Sequence, residues 1–545
     1  MISSAPASQK SDPQRLSALM VHWVGPWPKW FFLVIGYCVL HLVLRLSLSE
    51  SIAVDDVVEV VFTQSLSLGY DPKQPPLYTW LLWGFGHIGT VSLVHILLLK
   101  YSLLIVTLVL LRDILLRLTQ SASLAGLGSL SLLLLYQLGW NIHEGVTHTL
   151  TIMVCVALTL WQAVRLIGFL NPQQPSSQTR LWLEYGLFGI ILAAGFYSKY
   201  SYPLFLSAFF LAALGHPRTR SILIRWEMLF AFALALFLLS PYVFWLLNQP
   251  DGMSSLQRTA EFTQDKSYFA NTAYSLWKLV TASLGFLTPL LPILIILRPR
   301  LFHFWSPQRH FNTLENIDWE RFFGRLALIC LLLLAFAALF GLLNNVKARW
   351  MHPFLLPALP WLWLRLHRLG WRFKDTVRLF VILLAISGLI FVMRAGRLGY
   401  GPPFCGKCRA IMPYEALETR IKALGFTGGM IIAQDEHLAG NLRVAFPQAR
   451  LLNLHKAFYH PPARDNAASY PSGQCLMVWH GPTDQTEQPQ PPLDMLASLK
   501  MPIENIPPGH IETLTVTRQG RLGGPEISAI EWSLGFWPEG LGPCQ

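Results

Sequence analysis

Long runs of apolar residues, broken by short polar loops, dominate the first four hundred positions of the chain. A helix rises 1.5 Å per residue, so about 20 apolar residues cross a hydrocarbon core of about 30 Å. By that measure the pattern predicts eleven membrane spans, near 30–48, 91–111, 122–140, 146–169, 182–197, 202–215, 226–247, 272–297, 323–343, 350–366 and 376–394. After Arg394 the pattern changes. Residues 397–545 are rich in Gly, Pro and polar side chains, and their apolar runs are short. "GGMIIAQ", "QCLMVWHGP", "IETLTVTRQ" and "ISAIEWSLGF" have the look of strands, with "YEALETRIKALGF" and "EHLAGNLRVAF" as helices between them. The expected fold is a membrane α-helical protein that ends in a soluble α/β domain. Its parts are a tail at 1–29, a membrane domain at 30–395 with a first external loop at 49–90, and the α/β domain at 396–545.

Composition supports this division. Of 545 residues, 53% are hydrophobic and 13% charged, about half the charged share of an ordinary soluble domain. The net charge of +12 is spread over short loops, which favours topology and anionic lipid over nucleic acid as its explanation. With the N-terminus cytoplasmic, the inner loops collect most of the arginines, among them Arg112, Arg117, Arg218, Arg220, Arg300 and Arg372. The outer side keeps only Lys73, Lys199, Arg258, Lys266, Lys347 and Arg349. The expected topology therefore keeps the N-terminus cytoplasmic and puts the C-terminal domain outside.

The first external loop opens with two adjacent acids, Asp55 and Asp56. The stretches "VVEVVF" and "QPPLYTWLLWGFGHIG" that follow suit short helices lying on the membrane surface. The same outer side carries Lys199 in "SKYSYP", Lys347 and Arg349 in "KARWMHP", and His143, Glu144 and His148 in "WNIHEGVTH". Charge near membrane depth is costly and marks a site, although cations at headgroup level also serve as anchors. Glu59, His143 and His148 are metal-ligand types, but no ligand spacing supports a metal, and no cofactor is expected. Four cysteines, Cys405, Cys408, Cys475 and Cys544, fall in the C-terminal part, where an exported domain would use them as disulfides. The spacing Cys405-Gly-Lys-Cys408 also fits a redox motif or half a zinc site.

An acidic pair in the first external loop, then "GYDPKQPPLYTWL", "SKYSYP" and "KARWMHPFLLPALP", resembles the GT-C class of polyprenyl-phosphate-sugar glycosyltransferases, and most of all family 39 and its aminoarabinose-transferase relatives. The resemblance covers roughly residues 30–370. It implies a sugar transferred from a polyprenyl-phosphate donor to a glycolipid, glycan or protein acceptor of the cell envelope. It implies Asp55 as base, with Asp56 beside it either raising its pKa or orienting a donor hydroxyl. Lys199 matches the family's lysine, and Arg349 falls where the family has a residue facing the lipid phosphate. Lys73 and Gln74 stand where relatives place a cation before a proline, Gln74 departing from that pattern. Lys73, Gln74, Lys199, Arg258 and Arg349 are thus the donor candidates, and Tyr78, His143 and Glu144 the candidate sugar or acceptor contacts. Such chemistry needs one base for the acceptor hydroxyl and cations for the leaving phosphate. Direct displacement inverts the anomeric carbon, as in inverting glycosidases. The competing classes are a lipid or glycolipid flippase, which would show a midplane site and repeats, and a non-catalytic envelope scaffold.

Overall fold

The computed structural model describes residues 22–170, 177–249, 268–303, 317–343, 345–401, 404–406, 408–454, 459, 474–481 and 510–537. Among the described residues, seven helices are long and apolar enough to cross a membrane: α1 (Trp27–Leu48), α4 (Leu93–Thr119), α6 (His148–Phe169), α7 (Gln178–Ser198), α9 (Trp226–Leu247), α11 (Trp319–Leu339) and α13 (Phe373–Gly399). Two short helices lie between α1 and α4, α2 (Asp56–Phe62) and α3 (Leu77–Gly86), where surface helices were expected.

The other four expected spans are short or interrupted. Helix α8 (Tyr202–Leu214) has 13 residues, about 20 Å of rise. The run from Ala122 starts as α5 (Ala122–Leu130), tightens to a 3₁₀ turn at Ser131–Leu134 and opens at Leu135. The run from Tyr268 forms α10 (Tyr268–Leu287) and breaks before Pro289. These two breaks meet. The Tyr136 amide donates to the Thr288 carbonyl (3.0 Å), and Leu135 bridges Pro289. Proline cannot continue the helical ladder, and each break gives the other's backbone a partner where none would come from lipid. The fourth interruption lies in "HPFLLPALP", whose prolines divide the run into a turn at His352–Leu355 and helix α12 (Ala358–Arg368).

The C-terminal part is a five-stranded mixed sheet in the order β2-β1-β3-β5-β4: β1 (Met430–Ala433), β2 (Arg450–Asn453), β3 (Cys475–His480), β4 (His510–Arg518) and β5 (Ile527–Trp537). Strands β1, β3, β4 and β5 fall in the four expected runs. Strand β2, four residues long, was too short to stand out. Two helices cover the sheet, α14 (Tyr414–Ala423) and α15 (Glu436–Ala445), the second making the crossover between the parallel strands β1 and β2.

The sheet shares its core with the first loop. Val61, Phe62 and Tyr70 pack with Leu417, Leu438, Leu451 and Trp532. Gly440 allows this approach, since a Cβ there would lie 2.5 Å from the Val57 backbone. Two amide side chains lock the contact. Asn441 accepts from the Ile52 amide (2.8 Å) and donates to the Ile52 carbonyl (3.0 Å). Gln64 does the same to Leu451 of the edge strand β2 (2.8 and 3.0 Å). The edge is thereby capped by a side chain instead of a further strand.

Candidate functional site

The chain leaves α1 at Leu48 and is held immediately. The Ser49 hydroxyl bonds the Ala410 carbonyl, and Ser51 donates to the Met412 carbonyl (2.6 Å). Two residues past the Asn441 clamp, Val54 adopts φ +60°. A β-branched residue is strained in this left-handed region and stays there only when its surroundings fix it. Gly145 fits closely against it; a Cβ at 145 would sit 2.5 Å from the Val54 Cβ. The backbone that presents Asp55 is therefore set from both sides.

The two neighbouring acids have opposite fates. Asp55 is exposed at the start of α2. Asp56 is buried, and its Oδ2 pairs with Lys100 Nζ of α4 at 2.5 Å. Burial pushes its carboxyl up to about 6, with Lys100 opposing the shift and Asp55 adding to it. One turn on, Glu59 is also taken. It meets His148 Nε2 at 2.7 Å and accepts from the Thr79 hydroxyl at 2.5 Å. Asp56 and Glu59 thus anchor α2 to α4, α6 and α3. Of the three acids, Asp55 alone is exposed, free to meet an acceptor hydroxyl. Asp56, expected beside Asp55 in the chemistry, is engaged in an ion pair with Lys100. Lys100 was missed because it lies inside an apolar run assigned to a span. The available signal was the lysine itself in "LLLKYSLL", since an ionised group at that depth needs a partner.

Lys199 lies just past the end of α7, where the backbone turns extended. Its Nζ donates to Thr149 Oγ1 at 3.1 Å. Burial pulls the amine down to about 8; Arg349 pulls the same way and Asp55 pulls against it. Lys199 therefore lies in the field of two groups far from it in sequence. Arg349 is exposed on a 3₁₀ turn at Ala348–Trp350, whose end is fixed by a hydrogen bond between His352 Nδ1 and the Arg349 carbonyl (2.8 Å). Lys73 is exposed at the tip of a turn closed by the Gln74 amide on the Asp71 carbonyl (3.0 Å). Tyr200, next to Lys199, donates to the Pro72 carbonyl of that turn at 2.9 Å. "SKYSYP" thus ties the Lys73 turn to the Lys199 position. Tyr78 is fully buried between Asp56 and Glu59, and its hydroxyl has no partner among the described residues. Arg258 lies outside the described residues.

His143 and Glu144 belong to a second cluster on the other side of Val54. His143 is buried, stacked on His41 (3.9 Å between centroids), with its two nitrogens on the Tyr37 and Tyr101 hydroxyls (both 2.9 Å). With both nitrogens committed, the His143 ring is fixed in place, and the residue lines the cavity that Glu144 also borders. Glu144 pairs with Arg397 at 3.2 Å. It lines a cavity of about 260 Å³ with Arg45, Arg394, Arg397 and Arg409. None of these arginines was expected at a site. Arg45 was counted within the first span and Arg394 at the edge of the last.

Cys405 and Cys408, expected as disulfide candidates, form a disulfide. Cys475 is disulfide-bonded too, while Cys544 lies outside the described residues. Among the described residues no group of three or more His, Cys, Asp or Glu side chains is arranged to hold a metal.

Residues 73–245 match the family model of dolichyl-phosphate-mannose-protein mannosyltransferase. The lipopolysaccharide core galacturonosyltransferase RgtB of Rhizobium johnstonii is 26% identical over 475 residues, 84% of this chain and 88% of that protein. RgtA of the same organism is 24% identical over 452 residues, 82% and 86% of the two chains. The crystal structure of ArnT from Cupriavidus metallidurans bound to undecaprenyl phosphate has the same fold, with a TM-score of 0.52 at 12% identity over 92% of this chain and 98% of that one. Its apo form gives 0.54 at 10%, over 92% and 97%. In its interrupted helical bundle and in these likenesses the chain is similar to the polyprenyl-phosphate-sugar glycosyltransferases of the GT-C class, and it is a glycosyltransferase.

Proposed function

We propose that the chain transfers galacturonic acid from a polyprenyl-phosphate donor to the lipopolysaccharide core, on the outer face of a bacterial cytoplasmic membrane. The donor sugar and acceptor follow the names of RgtB and RgtA, and the lipid follows the undecaprenyl phosphate bound to ArnT. The observation that supports the chemistry is that Lys199, buried beside Thr149, lies in the field of both Asp55 and Arg349. Asp55 takes the proton of an acceptor hydroxyl, and that oxygen attacks the anomeric carbon. The bond from this carbon to the phosphate oxygen breaks, and its electron pair leaves with the polyprenyl phosphate. Lys199 and Arg349 receive the phosphate, with Lys73 at the rim of the same face. Attack from the face opposite the leaving group inverts the anomeric configuration. Neither a metal nor a general acid is required, because a phosphate departs as a stable anion.

The topology belongs to the same proposal. Seven long helices and four interrupted or short ones make eleven crossings, with the tail at 1–29 cytoplasmic and residues 396–545 outside. The arginine-rich loops on one side support this orientation. Residues 30–395 form the catalytic membrane part, and the first loop at 49–90 carries the base. The test is transfer by the purified full chain from polyprenyl-phosphate galacturonate to core oligosaccharide. Asp55→Ala and Lys199→Ala should each abolish or sharply reduce transfer; full activity in both would refute the site.

A further inference from the structure

We infer that the arginine cavity beside Val54 is a binding site for the carboxylate of a hexuronic acid. This rests on the glycosyltransferase reading above and assigns that site its charge selectivity. The cavity lies at the outer ends of α1 and α13, under the disulfide-closed loop, against Ala53 and Val54. Its position is thus one residue from the candidate base. At about 260 Å³ it is smaller than the roughly 300–1,000 Å³ of drug-sized sites and suits one sugar residue.

The charge is out of balance. Four guanidiniums line the cavity against one carboxylate, Glu144, which Arg397 already holds. Arg394 is 1% exposed and Arg45 6%. Their partners are neutral: Arg45 donates to the Ser49 and Ser51 carbonyls (3.3 and 2.5 Å), and Arg394 to His41 Nδ1 and the His143 carbonyl (2.7 and 3.4 Å). Arg394 Nε has no partner among the described residues. Buried like charges repel, and an uncompensated buried charge is expensive. An anion completes the site. A planar carboxylate matches the two parallel N–H groups of a guanidinium, which gives strong and directional recognition. On the other flank of Val54, by contrast, Asp56 and Glu59 already have cationic or hydrogen-bonding partners within the chain.

The carboxylate could belong to the donor sugar or to an acidic sugar of the acceptor, and the experiment separates them. The full chain in lipid nanodiscs is assayed with polyprenyl-phosphate galacturonate and polyprenyl-phosphate galactose. Each donor is paired with core oligosaccharide whose carboxylates are free or methyl-esterified. Arg409→Gln is the test variant, because Arg409 is half-buried and opens a short 3₁₀ turn at Arg409–Ile411. Loss of one charge-assisted contact should raise KM about 10- to 100-fold for the charged substrate only. A penalty seen with galacturonate and absent with galactose assigns the cavity to the donor. A penalty that disappears with the esterified acceptor assigns it to the acceptor. An equal penalty in all four combinations, or none, overturns the inference. Arg409→Lys should recover part of the selectivity, which a merely structural role would not predict. If the wild-type chain transfers neither sugar, the proposed function fails by itself. The cavity is then judged by saturation-transfer NMR with free D-galacturonate and D-galactose. A galacturonate signal lost in Arg409→Gln sustains the site, and equal signals from the two sugars overturn it.

Discussion

Val54 divides two regions that handle charge in opposite ways. On the α2 side, three acids stand within five residues, and the two buried ones are matched by Lys100 and His148. On the other side, four arginines gather around one acid. Buried charges matched within the chain hold the fold together; charges left exposed or in surplus are available to a ligand. By this criterion the proposed chemistry falls to Asp55, while Asp56, its neighbour, is held in an ion pair with Lys100. In the proposed site Lys199 joins Asp55, and it lies in the field of both Asp55 and Arg349.

The largest effect should come from Asp55. Asp55→Asn keeps shape and hydrogen bonding but removes the base, and kcat should fall about 10²- to 10⁴-fold. Yield and thermal stability in detergent should stay at wild-type level. Lys100→Met should do the reverse. It strands Asp56 in a buried site, which costs about 3–5 kcal/mol, so expression or melting temperature should drop before any kinetic effect is read. The double variant Lys100→Met with Asp56→Leu should recover most of that loss; a double variant no better than the single would show that the pair does not anchor α2.

Next in size is the pH response set by Lys199. Its amine, pulled down to about 8, carries charge below that pH and loses it above. Since only the ammonium form meets the phosphate well, kcat/KM should fall as pH rises through about 8. Lys199→Arg should flatten that alkaline limb, because a guanidinium stays protonated. An unchanged limb in Lys199→Arg would assign it to another group. The smallest effect should come from Asn441→Ala, which breaks the Ile52 clamp and costs about 1–3 kcal/mol of local stability. Hydrogen exchange at residues 49–57 should quicken, with kcat reduced only a few-fold. Unaltered exchange there would mean that the sheet does not steady the loop.

Much of this was legible in the pattern of the chain. The seven long helices follow from apolar runs, and Asp55, Lys199 and Arg349 stood out as charges beside such runs. What escaped notice depended on contacts between distant segments. The break at Leu135 carries no proline of its own and is stabilised by a second break at Pro289. Lys100 lay hidden inside an apolar run, and its role depends on a carboxylate 44 positions earlier. Arg45 and Arg394 passed as membrane-edge cations, and no local feature tells an anchor from a cavity wall. The composition change after Arg394 suggested an independent domain, yet Gly440 and Asn441 bring its helix against the loop that bears Asp55.

The central claim is that Asp55 acts in the chemical step while Lys199 and Arg349 hold the donor phosphate. The most direct measurement is a single-turnover experiment with donor bound in advance to the Asp55→Asn chain in nanodiscs. The account predicts donor binding as tight as in the wild type and a transfer rate at least about 100-fold slower. A transfer rate within a few-fold of the wild type would contradict it.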